Sequence, residues 1–138
     1  MQKLVLAMMK KTMMSSILFF IYGFMYYIIE VLYRGYSHWS MFFLGGLCGV
    51  IIGLLNEKNK TISVLKQGIY GALIVTILEF IIGYIVNILL GWNIWDYSNV
   101  PFNFLGQICL PFTIIWFILS VFCIYLDDFL REKLFKSE

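Results

Sequence analysis

Two carboxyl side chains interrupt long apolar runs of this chain, where ionisable groups are rare. Glu30 lies near the end of the first run, and Glu79 is the only interior charge of the third. A charged side chain at the centre of a membrane helix costs about 2.5–3.5 kcal/mol on insertion scales, so both carboxyls are candidates for function. Arg34 follows Glu30 by four residues, and this spacing allows an ion pair on one helix face.

Further polar side chains cluster around the connection between the third and fourth runs. Asn87 follows Glu79 by eight residues, which places both on roughly the same helix face. Asn103 and Gln107 are four residues apart at the start of the fourth run. The binding site predicted from these residues comprises Glu30, Arg34, Glu79, Asn87, Asp96, Tyr97, Asn103 and Gln107.

The charges of this set allow three interpretations. Its three carboxyls and one arginine leave two negative charges, which a cation or a cationic ligand could balance unless Glu79 holds a proton. The set therefore fits a ligand or ion site. It also fits a polar network that only holds the helices together, and a proton relay or catalytic site.

The composition of the chain excludes an ordinary soluble domain. Its 138 residues are 62% hydrophobic and only 13% charged, whereas a soluble domain is about half apolar and about a quarter charged. Lipid must therefore be the solvent for much of the surface. The net charge of +2 and the lack of a basic cluster give no support to nucleic-acid binding.

Four apolar stretches predict four membrane-spanning helices at about 12–33, 39–55, 65–90 and 102–126, with an amphipathic tail at 127–138. Each stretch is close to the roughly 20 residues that cross a hydrocarbon core. The predicted fold class is an all-α, integral membrane four-helix bundle, with the whole chain, 1–138, forming one domain. A weak repeat of FLGGLC as FLGQIC would arrange the helices as two parallel hairpins.

Local details of these helices follow from single residues. A short interfacial helix is expected at 4–9, ahead of the first span. Asn103 is expected to cap the fourth helix, and Pro111 to kink it. We expect no buried carboxyl comparable to Glu79 in the predicted inner half of the bundle.

The basic residues predict the orientation. Nine of the ten Lys and Arg side chains fall in the N-terminal segment, the second connection and the tail, while only Arg34 falls in the first connection. The positive-inside rule then places both termini in the cytoplasm and the polar site in the outer half of the membrane. We therefore expect a multi-pass protein of a bacterial-type plasma membrane, with a polar pocket that opens outward.

The second helix carries glycines at a spacing that favours close helix contact. Gly45, Gly49 and Gly53 form a GxxxGxxxG run, and small residues on one face let another helix backbone approach. The partner would be another helix of the same chain or, in a homo-oligomer, a second copy.

Several catalytic and cofactor motifs are absent from the sequence. It contains no GxxxxGK[ST], HExxH or GxSxG pattern and no zinc-spaced cluster, and its three cysteines are scattered through apolar runs. These absences predict no cofactor, no metal and no ATPase activity of the chain's own. The sequence therefore favours a protein that is not an enzyme.

The motifs of the chain resemble those of a known family. They are Glu30 and its neighbours, the stretch SMFFLGGLCG at 40–49, Leu78-Glu79-Phe80, and the segment WDYSN at 95–99 followed by Pro101, Asn103 and GQICL at 106–110. The chain resembles the putative ABC-transporter type IV proteins, or CmpB-like permeases, which are related to the transmembrane protein 229 group. The resemblance covers almost the whole chain and implies that the protein acts as a permease.

Three functions remain open on this basis. The first is a small permease-like or transport-accessory subunit that binds a solute or ion in the outward pocket and takes its energy from an ATPase or another membrane subunit. The second is a membrane-embedded enzyme that acts on lipid or envelope material, with Glu79 or Asp96 as acid or base. The third is a non-catalytic scaffold.

Overall fold

Four long helices account for most of the computed structural model, which describes residues 1–58 and 60–135. They are α1 (Gln2–Arg34), α2 (Trp39–Lys58), α3 (Val64–Gly83) and α4 (Leu110–Leu130). α3 continues as a π-helical segment, Tyr84–Leu89, and α4 as another, Arg131–Phe135.

These helices suit a membrane by length and by composition. With the π-helical extensions, the four spans are 33, 20, 26 and 26 residues long, and each is apolar enough to cross a bilayer. The protein is 78% helical, which confirms the predicted all-α class. The chain is a multi-pass membrane protein.

The first helix begins earlier than the sequence suggested. It is continuous from Gln2, so the short helix expected at 4–9 is the first part of α1 and not a separate element. No glycine or proline lies between the helix expected at 4–9 and the span expected from about 12, and the residues there tolerate helical geometry. α1 ends at Arg34 and is followed by Gly35, whose φ of 86° is one that residues with a Cβ rarely adopt.

The fourth helix begins later than expected, at Leu110 instead of at about 102. The residues ahead of it form a short antiparallel hairpin of β1 (Asn103–Phe104) and β2 (Ile108–Cys109). Phe102 and Leu105 have φ angles of 58° and 54°. A right-handed helix cannot contain residues in this left-handed conformation, so it starts only after them.

Two expectations for this region are therefore wrong. Asn103 lies in β1 and does not cap α4. Pro111 lies in the first turn of α4, where its missing N–H would have no partner within the helix. The kink expected at this proline therefore has no cause.

The C-terminal end of α4 shows a buried residue at the start of the expected amphipathic tail at 127–138. Asp127 has 0% of its surface exposed, and a Cβ at Gly53 would collide with its carboxylate. The missing side chain of that glycine thus makes room for a buried carboxyl where none was expected. Helical structure continues to Phe135, and residues 136–138 lie outside the described residues.

The chain divides into two compact units. The first comprises Met1–Ile51 and the chain from Leu130 onward, and the second comprises Ile52–Phe129. The expected single domain, the bundle arrangement and the two parallel hairpins stay predictions.

In the first unit, glycines of α2 lie against aromatic side chains of α1. A Cβ at Gly45 would lie 2.5 Å from the Cβ of Tyr26, and one at Gly49 would lie 2.5 Å from Cδ2 of Tyr22. The two helices therefore approach more closely than larger residues would permit. A homo-oligomer contact through the same glycines stays a prediction, and it would require these aromatic side chains to move.

In the second unit, α3 and α4 pack through small and polar residues. A Cβ at Gly71 would lie 2.6 Å from Oγ of Ser120, so the α4 serine touches the α3 backbone. Further along, the hydroxyl oxygens of Thr76 and Thr113 lie 2.9 Å apart and share a hydrogen bond. This close packing holds α3 and α4 in register at the level of Glu79.

Replacing Gly49 by Ala should destabilise the protein by about 1–3 kcal/mol, because the added methyl overpacks the contact with Tyr22. In an open helix the same change would stabilise by about 1 kcal/mol. The midpoint of unfolding in mixed detergent micelles measures the difference. An unchanged or higher midpoint would show that this glycine does not determine the approach of α1 and α2.

Candidate functional site

Glu79 is the buried centre of the candidate site. Only 2% of its surface is exposed, because it continues the packed face of α3 that Gly68, Ala72 and Val75 begin at spacings of three and four residues. A carboxyl on that face cannot reach lipid headgroups or water by extending along the helix. Its partners must therefore come from the second unit itself.

Both oxygens of this carboxyl accept hydrogen bonds. The hydroxyl of Tyr97 donates to Oε2 over 2.9 Å, and the indole N–H of Trp116 donates to Oε1 over 3.2 Å. Trp116 reaches Glu79 from α4, where it is buried, while Tyr97 comes from the loop before β1. One carboxyl thus joins two helices and a loop.

Tyr97 is the loop residue that contacts Glu79. Its ring stacks on Phe112, with 4.8 Å between the ring centroids and 17° between the planes. The residue is half-buried, whereas its neighbours Asp96 and Ser98 are exposed. Tyr97 therefore lies between the buried carboxyl and the surface.

A second network of amides surrounds Gln107, which is buried. Nδ2 of Asn87 donates to Oε1 of Gln107 over 2.8 Å, and Oδ1 of Asn87 accepts from the backbone amide of Ile94 over 2.7 Å. The indole of Trp95 donates to the carbonyl of Gln107 over 3.0 Å. Asn87 lies in the π-helical segment, and π-helical turns are frequent at functional sites.

Space for the Gln107 side chain comes from a glycine of α3. A Cβ at Gly83 would lie 2.7 Å from both Oε1 of Gln107 and Cζ2 of Trp95. The amide network can therefore pack directly on the α3 backbone, one helical turn beyond Glu79.

The loop that carries Tyr97 is held by its own polar residues. Asp96 accepts from the amide of Ser98 over 2.9 Å and also from its hydroxyl. Nδ2 of Asn103 donates to the carbonyl of Val100 over 2.9 Å, while its Oδ1 accepts from the amide of Gly106 over 3.1 Å. Asp96 and Asn103 thus shape the loop through hydrogen bonds within it, and their expected ligand contacts stay predictions.

The other two residues of the predicted site belong to the first unit. Nε of Arg34 lies 2.6 Å from Oε2 of Glu30, which is the pair that their spacing predicted. The hydroxyl of Tyr26 donates to the other carboxyl oxygen over 2.8 Å, and the guanidinium lies 4.6 Å from the ring centroid of Tyr36. Glu30 is therefore neutralised within its own unit.

Sequence reasoning missed a polar cluster at the other end of the second unit. It surrounds the ends of α2 and α4: Nδ2 of Asn56 donates to Oδ1 of Asp128 over 2.6 Å, and Nζ of Lys60 donates to the same oxygen over 3.0 Å. Asp127 is buried beside it. The spacing of seven residues from Thr113 to Ser120 and on to Asp127 is the sequence signal that places all three on one face of α4.

Three carboxylates of this cluster approach one another. Oxygens of Glu57, Asp127 and Asp128 lie within 4.8 Å of one another, which is close enough to share one cation. Lys60 already supplies positive charge there, and its hydrogen bond to Asp128 raises the pKa of the Lys60 ammonium above its ordinary value. The expectation that the chain holds no metal stays a prediction.

Comparison with known proteins agrees with this membrane architecture. A family model described as putative ABC-transporter type IV matches residues 17–137. The match includes Glu79, the WDYSN loop and the hairpin that follows it. No curated protein and no solved structure matches the chain.

Asp127 should be required for stability more than its neighbour Glu57. Asp127→Ala should destabilise the protein by about 1–3 kcal/mol, because the side chain is fully buried and the change removes the interaction that it makes there. Glu57→Ala is the matched control: its 3.5 Å contact with Lys60 is partly exposed, and such pairs contribute about 0–1 kcal/mol. Equal shifts of the unfolding midpoint in micelles would contradict the importance of the buried carboxyl.

The Asp96 turn should persist to unusually low pH. The hydroxyl and the amide of Ser98 both hold the pKa of the Asp96 carboxyl below its ordinary value. The stability that the turn gains from an ionised Asp96 is present above the ordinary pKa, and it is lost as the pH falls through the lowered one. The amide resonance of Ser98 in an NMR titration should therefore shift with a midpoint below about 3.9.

Ser98→Ala tests the cause of this shift. It removes the hydroxyl donor and keeps the amide, so the midpoint should rise toward the ordinary value. A midpoint that is already ordinary in the unmodified protein would contradict the assignment of both hydrogen bonds.

Proposed function

Because the chain belongs to the putative ABC-transporter type IV family, we propose that it is a small permease-like or transport-accessory subunit that binds a cation or a cationic solute at Glu79. The observation that carries this proposal is a buried carboxyl whose loop-side partner, Tyr97, is itself partly exposed. A ligand that displaced Tyr97 would therefore meet a carboxyl group that is otherwise buried.

The hydroxyl of Tyr97 and the indole of Trp116, which donate to Glu79, suit exchange with such a ligand. A phenol hydroxyl and an indole N–H are both neutral, so neither supplies a full positive charge to the carboxylate. An ammonium group or a metal cation can take the place of the Tyr97 hydroxyl and forms a stronger, charge-assisted contact. The oxygen of Tyr97 can also accept or ligate once its proton is turned away.

Access to Glu79 depends on one aromatic side chain. Rotating Tyr97 off Phe112 would break its hydrogen bond to Glu79 and the ring stacking contact, which together are worth roughly 1–3 kcal/mol. A ligand that gains more than this by contacting Glu79 would shift the site to its open state. The exposed carboxylate of Asp96 next to Tyr97 raises the local concentration of cations.

The charge pattern supports an outward-facing site. Basic residues concentrate at the termini and in the connection between α2 and α3, so we place those parts in the cytoplasm and Tyr97 on the outer side of a plasma membrane. The ligand would then be an extracytoplasmic one.

Energy for movement would come from a partner. The sequence has no phosphate-binding GxxxxGK[ST] motif, and four spans are few for a complete transporter. We propose an ATPase subunit as the partner, with a second copy packed through Gly45, Gly49 and Gly53 as the alternative assembly.

Cation binding to the purified full-length chain in nanodiscs tests this proposal. The probes are labelled sodium, potassium and methylammonium. At least one should bind saturably, and Glu79→Gln should weaken its binding roughly 10–100-fold, because a charge-assisted contact is worth about 1.5–3 kcal/mol. Tyr97→Phe should change affinity less, since it removes the displaced donor but keeps the charge.

Glu132→Gln is the matched control, because it neutralises an exposed carboxyl of the first unit that belongs to neither carboxyl site. It should leave binding unchanged. Failure of all three probes to bind would refute the proposal, and so would equal binding by the Glu79→Gln protein. A Glu79→Gln protein that unfolds in micelles without loss of binding in nanodiscs would leave Glu79 a purely structural role.

A further inference from the structure

α1 is longer than a membrane crossing requires. Its 33 residues extend over roughly 50 Å at about 1.5 Å per residue, whereas the hydrocarbon core is about 30 Å thick. About a dozen residues must therefore lie beyond the core. Residues 1–13 are exposed without exception, so we define 2–13 as the N-terminal arm.

The N-terminal arm has two chemically different faces. At 100° per residue, its basic side chains fall on one side of the helix and a group of large apolar ones falls on the other. The basic face carries Lys3, Lys10 and Lys11, and the apolar face carries Val5, Leu6, Met9 and Met13, while Leu4 and Met8 lie at the edge of the basic face.

The apolar face of the arm has to be shielded from water. Met9, for example, has 62% of its surface exposed, and Leu6 and Met13 are similarly exposed. A helix that projected straight into water would leave this whole face hydrated. A basic helix with one apolar face instead suits the boundary between lipid headgroups and acyl chains.

A hydrogen bond that favours a bend lies where the arm meets the membrane-spanning part of α1. The hydroxyl of Ser16 donates to the backbone carbonyl of Thr12 over 2.9 Å, and Ser15 precedes it. Such back-bonding by serine often bends helices. The bend would fall at the end of the arm, where a change of direction is needed.

We propose that the N-terminal arm bends away from the span at Thr12–Ser16 and binds the surface of an anionic leaflet. The side chains of its apolar face enter the boundary between headgroups and acyl chains, and its lysines contact lipid phosphates. The anionic leaflet of a cell membrane is the cytoplasmic one, which agrees with the orientation that the basic residues predict. This inference does not depend on ligand binding at Glu79.

A distance across Ser16 distinguishes a bent arm from a straight one. Spin labels at Leu4→Cys and Met25→Cys, in a chain whose three native cysteines are replaced by Ala, would lie about 32 Å apart on a straight helix and about 22 Å apart with a right-angle bend at Ser16. In vesicles of equimolar phosphatidylglycerol and phosphatidylcholine we expect the shorter distance. The longer one in those vesicles would overturn the proposal.

The lipid charge is tested in the same vesicles. Replacing the three lysines of the arm by Gln should lower the ratio of bent to straight arms about fivefold for each lysine removed. In vesicles of phosphatidylcholine alone these substitutions should have no effect. A short distance that is insensitive to both changes would overturn the role of anionic lipid.

A fluorophore at Met9→Cys identifies what covers the apolar face. Lipid-attached bromine should quench it in anionic vesicles and aqueous iodide should not, while a probe at Ala7→Cys, on the basic face, should show the reverse preference. Shielding from both quenchers would mean that protein covers the arm, a second copy included, and would overturn the lipid assignment.

Discussion

In a chain that is solvated by lipid, a carboxyl group has to find its hydrogen-bond donors inside the protein, and Glu79 imposes this requirement on the second unit. Its position on the packed face of α3 forces α4 to supply Trp116 and the loop to supply Tyr97. The loop can do so only because Asp96 and Asn103 fix its course. A surface loop is thereby made part of a membrane site.

A second carboxyl is buried at the other end of the second unit. Asp127 is as inaccessible as Glu79, and its place depends on the missing side chain of Gly53. Between the two carboxyls, Ser120 and the Thr76–Thr113 pair keep the contact between α3 and α4 polar. Glycine and hydroxyl residues permit a backbone separation that leucines would prevent, and this is how the unit positions two acids at opposite ends.

Apolar run length was enough to predict four helices, because in lipid a helix satisfies its backbone groups within a single segment. It could not predict where α4 begins, since Phe102 and Leu105 take left-handed conformations that no residue type announces as glycine does. Glu79 and Tyr97 were both identified from the sequence, but Trp116 was hidden within an apolar run. Asp127 was misread because the charged residues after it resemble a solvated tail.

The proposed function and a scaffold differ in what they require at position 79. Glutamine could accept from Trp116 through its amide oxygen and donate to the Tyr97 hydroxyl through its amide nitrogen, with the same side-chain length, so holding these two partners does not require an acid. An ionised carboxyl in lipid is costlier than an amide. Under the proposed function that cost has a reason, because an amide has no charge to attract a cation and does not take up a proton as a carboxylate does.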